Sequence, residues 1–92
     1  MPKLVITAEV NDRAMWEEGF RTHGDLFRRQ TVKEPIRFGA IDGNQVAILF
    51  EPEDLDTFMK IIDSRETEEA MAMDGVKRDT VKFFVMDKEF QL

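Results

Sequence analysis

Apolar and polar residues alternate at the start of the chain. Leu4, Ile6, Ala8 and Val10 fall on one side of an extended backbone and Lys3, Val5, Thr7 and Glu9 on the other, which predicts a strand with one strongly apolar face. Asn11 and Asp12 come next, with side-chain oxygens that accept hydrogen bonds from free backbone N–H groups, so a helix is expected to begin there and run to about Gln30. Gly19 and Gly24 each weaken such a helix by up to about 1 kcal/mol relative to alanine, and a bend or break is expected near Gly24. The next strand starts at Pro35 and continues through Ile36, Phe38, Ala40 and Ile41 into Asp42-Gly43-Asn44, a turn sequence that predicts a hairpin. Beyond it, Val46 to Phe50 (Val-Ala-Ile-Leu-Phe) is apolar on both faces. Leu55, Phe58, Met59 and Ile62 then recur at helical spacing. Ser64 can cap a further helical segment through Met73, and Gly75 is its natural stop. Thr80 to Met86 reads as the last strand, with Val81, Phe83 and Val85 opposing Lys82, Phe84 and Met86, bulk again on both faces.

The order is β-α-β-β-α-β, with no linker-like stretch and no repeat, so residues 1–92 are expected to form one α+β domain. Its expected architecture is a ferredoxin-like plait, a four-stranded antiparallel sheet with both helical regions on one face. A hairpin strand that is apolar on both sides needs two covers, and a chain of 92 residues has too few helices to supply both. A second copy is therefore expected to cover the other face, giving a homodimer joined through the sheet. Some of Ala47, Leu49, Phe84 and Met86 should lie on that face. The hairpin register stays open, because a one-residue slip exchanges the two faces.

Composition narrows the setting. There is no cysteine, hence no disulfide framework and no thiolate chemistry, which fits a reducing compartment, and a cytoplasmic location is expected. No apolar run approaches the roughly 18 to 20 residues of a membrane span, and the Leu4–Ile6 stretch is far shorter than a signal-peptide core, so no membrane association is expected. A net charge of −6 repels phosphate backbones, and the basic residues Arg28, Arg29, Lys33 and Arg37 are few and interrupted, which argues against nucleic-acid binding.

The acidic clusters have simple explanations. Glu51, Pro52, Glu53 and Asp54 suit a helix start, where carboxylates complement the dipole and cap unpaired N–H groups, and Glu66, Glu68 and Glu69 suit a solvated helix face. With one histidine and no cysteine the chain is a poor structural zinc site, and no metal and no cofactor are expected. His23 is the one residue on which acid–base chemistry can be built, since imidazole alone among unperturbed side chains titrates between pH 5 and 8. On a helix, Trp16, Phe20, His23 and Phe27 fall within about 60° of one another, which points His23 inward amid an aromatic stripe. It is then either a core histidine hydrogen-bonded to a carbonyl or carboxylate, or a pocket acid, base or ligand anchor. Met71 and Met73, beside Gly75, suit gap filling by flexible thioethers.

Three stretches carry a family resemblance. They are Trp16, Phe20 and His23 on the first helix; the Asp42–Asn44 turn followed by Val-Ala-Ile-Leu-Phe-Glu and Asp54-Leu55; and Glu69-Ala70-Met71 leading to Gly75-Val76. In these the chain resembles the dimeric α/β barrel superfamily of ferredoxin-like proteins, among them antibiotic-biosynthesis monooxygenase and stress-response barrel domains. Many small members carry an Ala-Gly-Val triplet before the last strand; here Asp74 replaces that alanine, and Lys77-Arg78-Asp79 stands where Gly-Pro often follows. The superfamily includes cofactor-free monooxygenases, lactone isomerases, polyketide cyclases and haem-handling enzymes, so the resemblance selects no single activity.

The expected function is accordingly a homodimeric barrel protein that binds a small apolar or aromatic molecule, with Trp16, Phe20, His23 and Arg37 as ligand-binding residues. One alternative is a cofactor-free enzyme of monooxygenase, isomerase or cyclase type with His23 as the catalytic acid or base. Another is a purely structural or partner-binding subunit.

Overall fold

A computed structural model describes residues 3–92. It contains strand β1 (Lys3–Glu9), helices α1 (Arg13–Phe20) and α2 (Gly24–Arg29), the hairpin β2 (Arg37–Ile41) and β3 (Gln45–Phe50), helices α3 (Leu55–Ile62) and α4 (Arg65–Met73), a 3-10 turn at Arg78–Thr80, and β4 (Lys82–Met86). The strands form one four-stranded sheet in the order β2-β3-β1-β4 with every pairing antiparallel, which is the expected ferredoxin-like α+β plait. Among the described residues no helix is long and apolar enough to cross a membrane.

Register decides which side chains meet the helices. Directly opposed residues share a face, so the row Phe38–Ile48–Ile6–Phe83 lies on one side and the row Arg37–Leu49–Val5–Phe84 on the other. The first side is the core: Leu4, Ile6, Ala8, Val46, Ile48 and Phe50 pack beneath Trp16, Phe20, Phe58 and Ile62, all buried. The second side carries all of Ala47, Leu49, Phe84 and Met86, of which some were expected there, and no described element covers it.

Three of the four described α-helices start where a side chain can accept from the first turn, α2 being the exception. Asp12 accepts from the Met15 N–H, Asp54 from the Thr57 N–H and Ser64 from the Thr67 N–H. Pro52 differs from its expected place in the first helical turn. It lies two residues before the Asp54 cap, buried, in a bridge to Val32. The long first helix divides near Gly24, as expected, at residues 21–23. The Thr22 N–H and hydroxyl both donate to the Gly19 carbonyl and the His23 N–H donates to the Phe20 carbonyl, closing α1 in a tight turn. Gly24 then opens α2, and His23 becomes the residue at the elbow. The last strand begins at Lys82 rather than Thr80, because the Thr80 hydroxyl is used to accept from the Glu9 N–H and donate to the Lys77 carbonyl.

Candidate functional site

Between the helix layer and the core face of the sheet lies a cavity of about 70 Å³. Its floor is sheet, with Ile6, Ala8, Val46, Ile48 and Phe50, and its walls are helical, with Trp16, Phe20, Leu26, Phe27 and Met71. The aromatic wall is continuous. Trp16 and Phe20 stack at 4.9 Å between centroids, Phe20 and Phe27 meet at 5.0 Å, and Phe27 leads to Phe50 at 5.6 Å.

His23 interrupts this apolar lining. Its Nε2 lies 2.9 Å from Asp74 Oδ2, and both side chains are largely buried, 18% and 8% exposed. The elbow between α1 and α2 delivers the imidazole, and the end of α4 delivers the carboxylate. Helix α4 stops in a Schellman arrangement, with the Gly75 N–H bonded to the Ala72 carbonyl and the Val76 N–H to the Met71 carbonyl. That turn requires a positive φ, which Gly75 adopts at 75°. On the other side, Gly19 leaves room for the carboxylate, since a Cβ built there would sit 2.1 Å from Asp74 Oδ1. Burial pushes the Asp74 carboxyl above its ordinary value of 3.8, and the adjacent His23 opposes that push by charge and hydrogen bonding.

A carboxylate at Nε2 favours the tautomer protonated there and leaves the Nδ1 lone pair as the basic nitrogen. His23 makes no side-chain cap to α2. The arrangement is thus an imidazole held by a buried carboxylate on the wall of an apolar space, chemically able to accept a proton or to orient a polar ligand atom.

The residues named from the sequence divide. Trp16, Phe20 and His23 line the cavity together. Arg37 does not. It is exposed on β2, opposite Leu49 on the uncovered face, because Phe38 takes the helix side and the period of two sends its neighbour the other way. The cation near the aromatic wall is Arg21, whose guanidinium lies 5.2 Å from the Phe38 ring centroid. Three polar lining residues are not among the site residues read from the sequence: Asp74, Gln30 and Thr67. Asp74 had a signal, since it departs from the alanine of the resembled triplet. Gln30 follows His23 by seven residues, a helical repeat that would have placed both on one face. Among the described residues no three His, Cys, Asp or Glu side chains gather as a metal site.

A wider depression of about 710 Å³ lies on the uncovered face, over Thr7, Gly39 and Ala47, with Asp79 and Lys82 at its margin. It is an open trough floored by small side chains, and it lacks the imidazole–carboxylate pair.

No protein-family model matches the sequence, and no curated protein matches it significantly. Solved structures do match in fold. A proposed antibiotic biosynthesis monooxygenase from Bordetella bronchiseptica superimposes with a TM-score of 0.75 at 13% identity, covering 97% of each chain. SnoaB, a cofactor-independent oxygenase from Streptomyces nogalater, gives 0.71 at 16% identity over 99% of this chain and 95% of its own. A dimeric ferredoxin-like protein from an uncultured marine organism gives 0.57 at 13% identity over 99% and 91%. These neighbours are antibiotic biosynthesis monooxygenase-type and dimeric ferredoxin-like proteins, the superfamily that the sequence resembles, and the chain has their fold.

Proposed function

We propose that two copies of the chain join through the uncovered sheet face, and that each copy takes a small apolar or aromatic molecule into the cavity beneath α1, α2 and α4. The observation that carries the proposal is the His23–Asp74 pair, 2.9 Å apart, set into a mostly apolar wall. A structural core has little need of a buried carboxylate whose burial is costly; a pocket that orients a ligand has.

Size sets a condition. A dry cavity of about 150 Å³ accommodates benzene, about twice the volume here. A ring therefore enters only if the wall yields, and the side chain best suited to yield is the flexible thioether of Met71 on α4. Toluene should bind the wild type weakly and Met71→Ala about tenfold more tightly, read by the fluorescence of Trp16, the one tryptophan of the chain and a wall residue. Failure of both toluene and its hydroxylated analogue phenol to perturb Trp16 in either protein would sink the cavity reading.

The carboxylate–imidazole geometry supports a second reading, a cofactor-free enzyme in which His23 Nδ1 removes a proton from a bound carbon acid or hydroxyl. Protein-dependent exchange of the α-hydrogens of cyclopentanone in D₂O, followed by NMR, tests it. His23→Ala should lower that rate by about 10²- to 10⁴-fold while the fold persists; an unchanged rate rejects the role.

A further inference from the structure

The cavity has a second polar end. Helices α2 and α4 run antiparallel, with His23 against Asp74 at one end and Gln30 against Thr67 at the other. Gln30 follows His23 by seven residues, and Asp74 follows Thr67 by seven, so the two polar pairs lie about 10 Å apart along the helices. Between them the wall is apolar, with Leu26 and Phe27 from α2 and Ala70 and Met71 from α4.

Gln30 is only 1% exposed, yet its Oε1 has no hydrogen-bond partner among the described residues. The orientation of the carboxamide follows from the hydroxyl beside it. Thr67 spends its one hydroxyl proton on the Ile61 carbonyl at 2.6 Å, so towards Gln30 it can only accept. Gln30 must then present its NH₂ to Thr67, at 3.5 Å, and its carbonyl oxygen to the other side. A buried amide oxygen without a donor is costly, which makes it a strong discriminator for a molecule that brings one.

We infer that Gln30 is a specificity-determining residue, whose carbonyl oxygen selects a neutral ligand carrying a hydroxyl or N–H donor. Anions are disfavoured, because Gln30 Oε1 at one end and the Asp74 carboxylate at the other would both face them as acceptors. The inference rests on the cavity reading above and adds to it which chemistry the cavity chooses.

Phenol and toluene are nearly equal in shape and differ in the donor. With Trp16 fluorescence as the readout, phenol should bind wild type and Met71→Ala at least tenfold more tightly than toluene, and benzoate should not compete. Gln30→Leu should abolish that preference by weakening phenol. Should Gln30→Leu fail to fold, Thr67→Val serves instead: without an acceptor at Thr67 the carboxamide can turn its NH₂ to the cavity, and discrimination between phenol and anisole should fall. Toluene binding as tightly as phenol, or a phenol preference that survives Gln30→Leu, overturns the role of Gln30 and leaves the cavity reading standing. Binding of neither compound overturns both.

Discussion

The two faces of the sheet are made from the same strands and nearly the same residue types, yet they end in opposite states. On β3, Val46, Ile48 and Phe50 of the covered face are 3%, 6% and 3% exposed, while Ala47 of the uncovered face is exposed and Leu49 half-buried; on the edge strand β4 both faces stay open, with Phe83 at 41% and Phe84 at 48%. Alternation therefore does not by itself decide burial. What decides it is whether another element lies above: the four described α-helices stand over one side, and they leave the β4 edge of that side open. Apolar side chains on a covered face contribute to the stability of the single chain; on the uncovered face they stay exposed, and the proposed homodimer would bury them.

The comparison is broken most directly by removing the same side chain from each face. Phe50→Ala should cost about 3 to 5 kcal/mol of unfolding free energy, because it opens a cavity in a packed layer. Phe84→Ala, measured at dilutions where the chain is single, should change stability by about 0.5 kcal/mol or less. Urea midpoints for both variants decide the matter, and equal losses would show that the faces do not differ as described. The next effect is on assembly. Leu49→Asp puts a charge at the centre of the row Arg37–Leu49–Val5–Phe84, where a facing copy would have to desolvate it. Sedimentation should show association weakened by at least about 100-fold, or about 2.7 kcal/mol, with the circular dichroism of the folded chain retained. A wild type that sediments as a single chain at every accessible concentration would reject the homodimer.

Much of this division was legible in the pattern of residues, and the reason is local. The period of two in β1 and the doubly apolar Val46–Phe50 run are properties of neighbouring positions, as are the caps at Asp12, Asp54 and Ser64 and the stop at Gly75. The cavity was only half legible. Trp16, Phe20 and His23 share one helical stripe and so could be named together. Arg37 was placed with them because its basic charge suits a ligand anchor, but its face is set by the hairpin register, which depends on a pairing that short-range pattern does not specify. Asp74 and Gln30 escaped for a related reason. Each acquires its meaning from a partner far along the chain, His23 for the one and Thr67 for the other, and no periodicity connects positions 51 or 37 residues apart.

The smallest effect separates a buried carboxyl from an exposed one. Hydrogen bonding from the Thr57 backbone and side chain holds the exposed Asp54 below its ordinary value of 3.8, whereas burial lifts Asp74 above the same value. Their contributions to stability must then run in opposite directions. Asp54 binds its proton more weakly in the folded chain, so its contribution is present above the unfolded value and is lost as pH falls through the folded one. Asp74 binds its proton more tightly in the folded chain, so its contribution is complete below 3.8 and declines as pH rises through its raised folded value. Asp74→Asn keeps an acceptor for His23 Nε2 and removes the titration. Urea unfolding at a series of pH values should therefore show the wild type gaining ground on Asp54→Asn as pH climbs towards 3.8 from below, and losing ground to Asp74→Asn as pH climbs on from about 3.8. Parallel curves for the two variants would mean that Asp74 is solvated like Asp54. The imidazole would then be held by an ordinary surface carboxylate, and the distinction between the covered and uncovered sides would not extend to the charges at the cavity's edge.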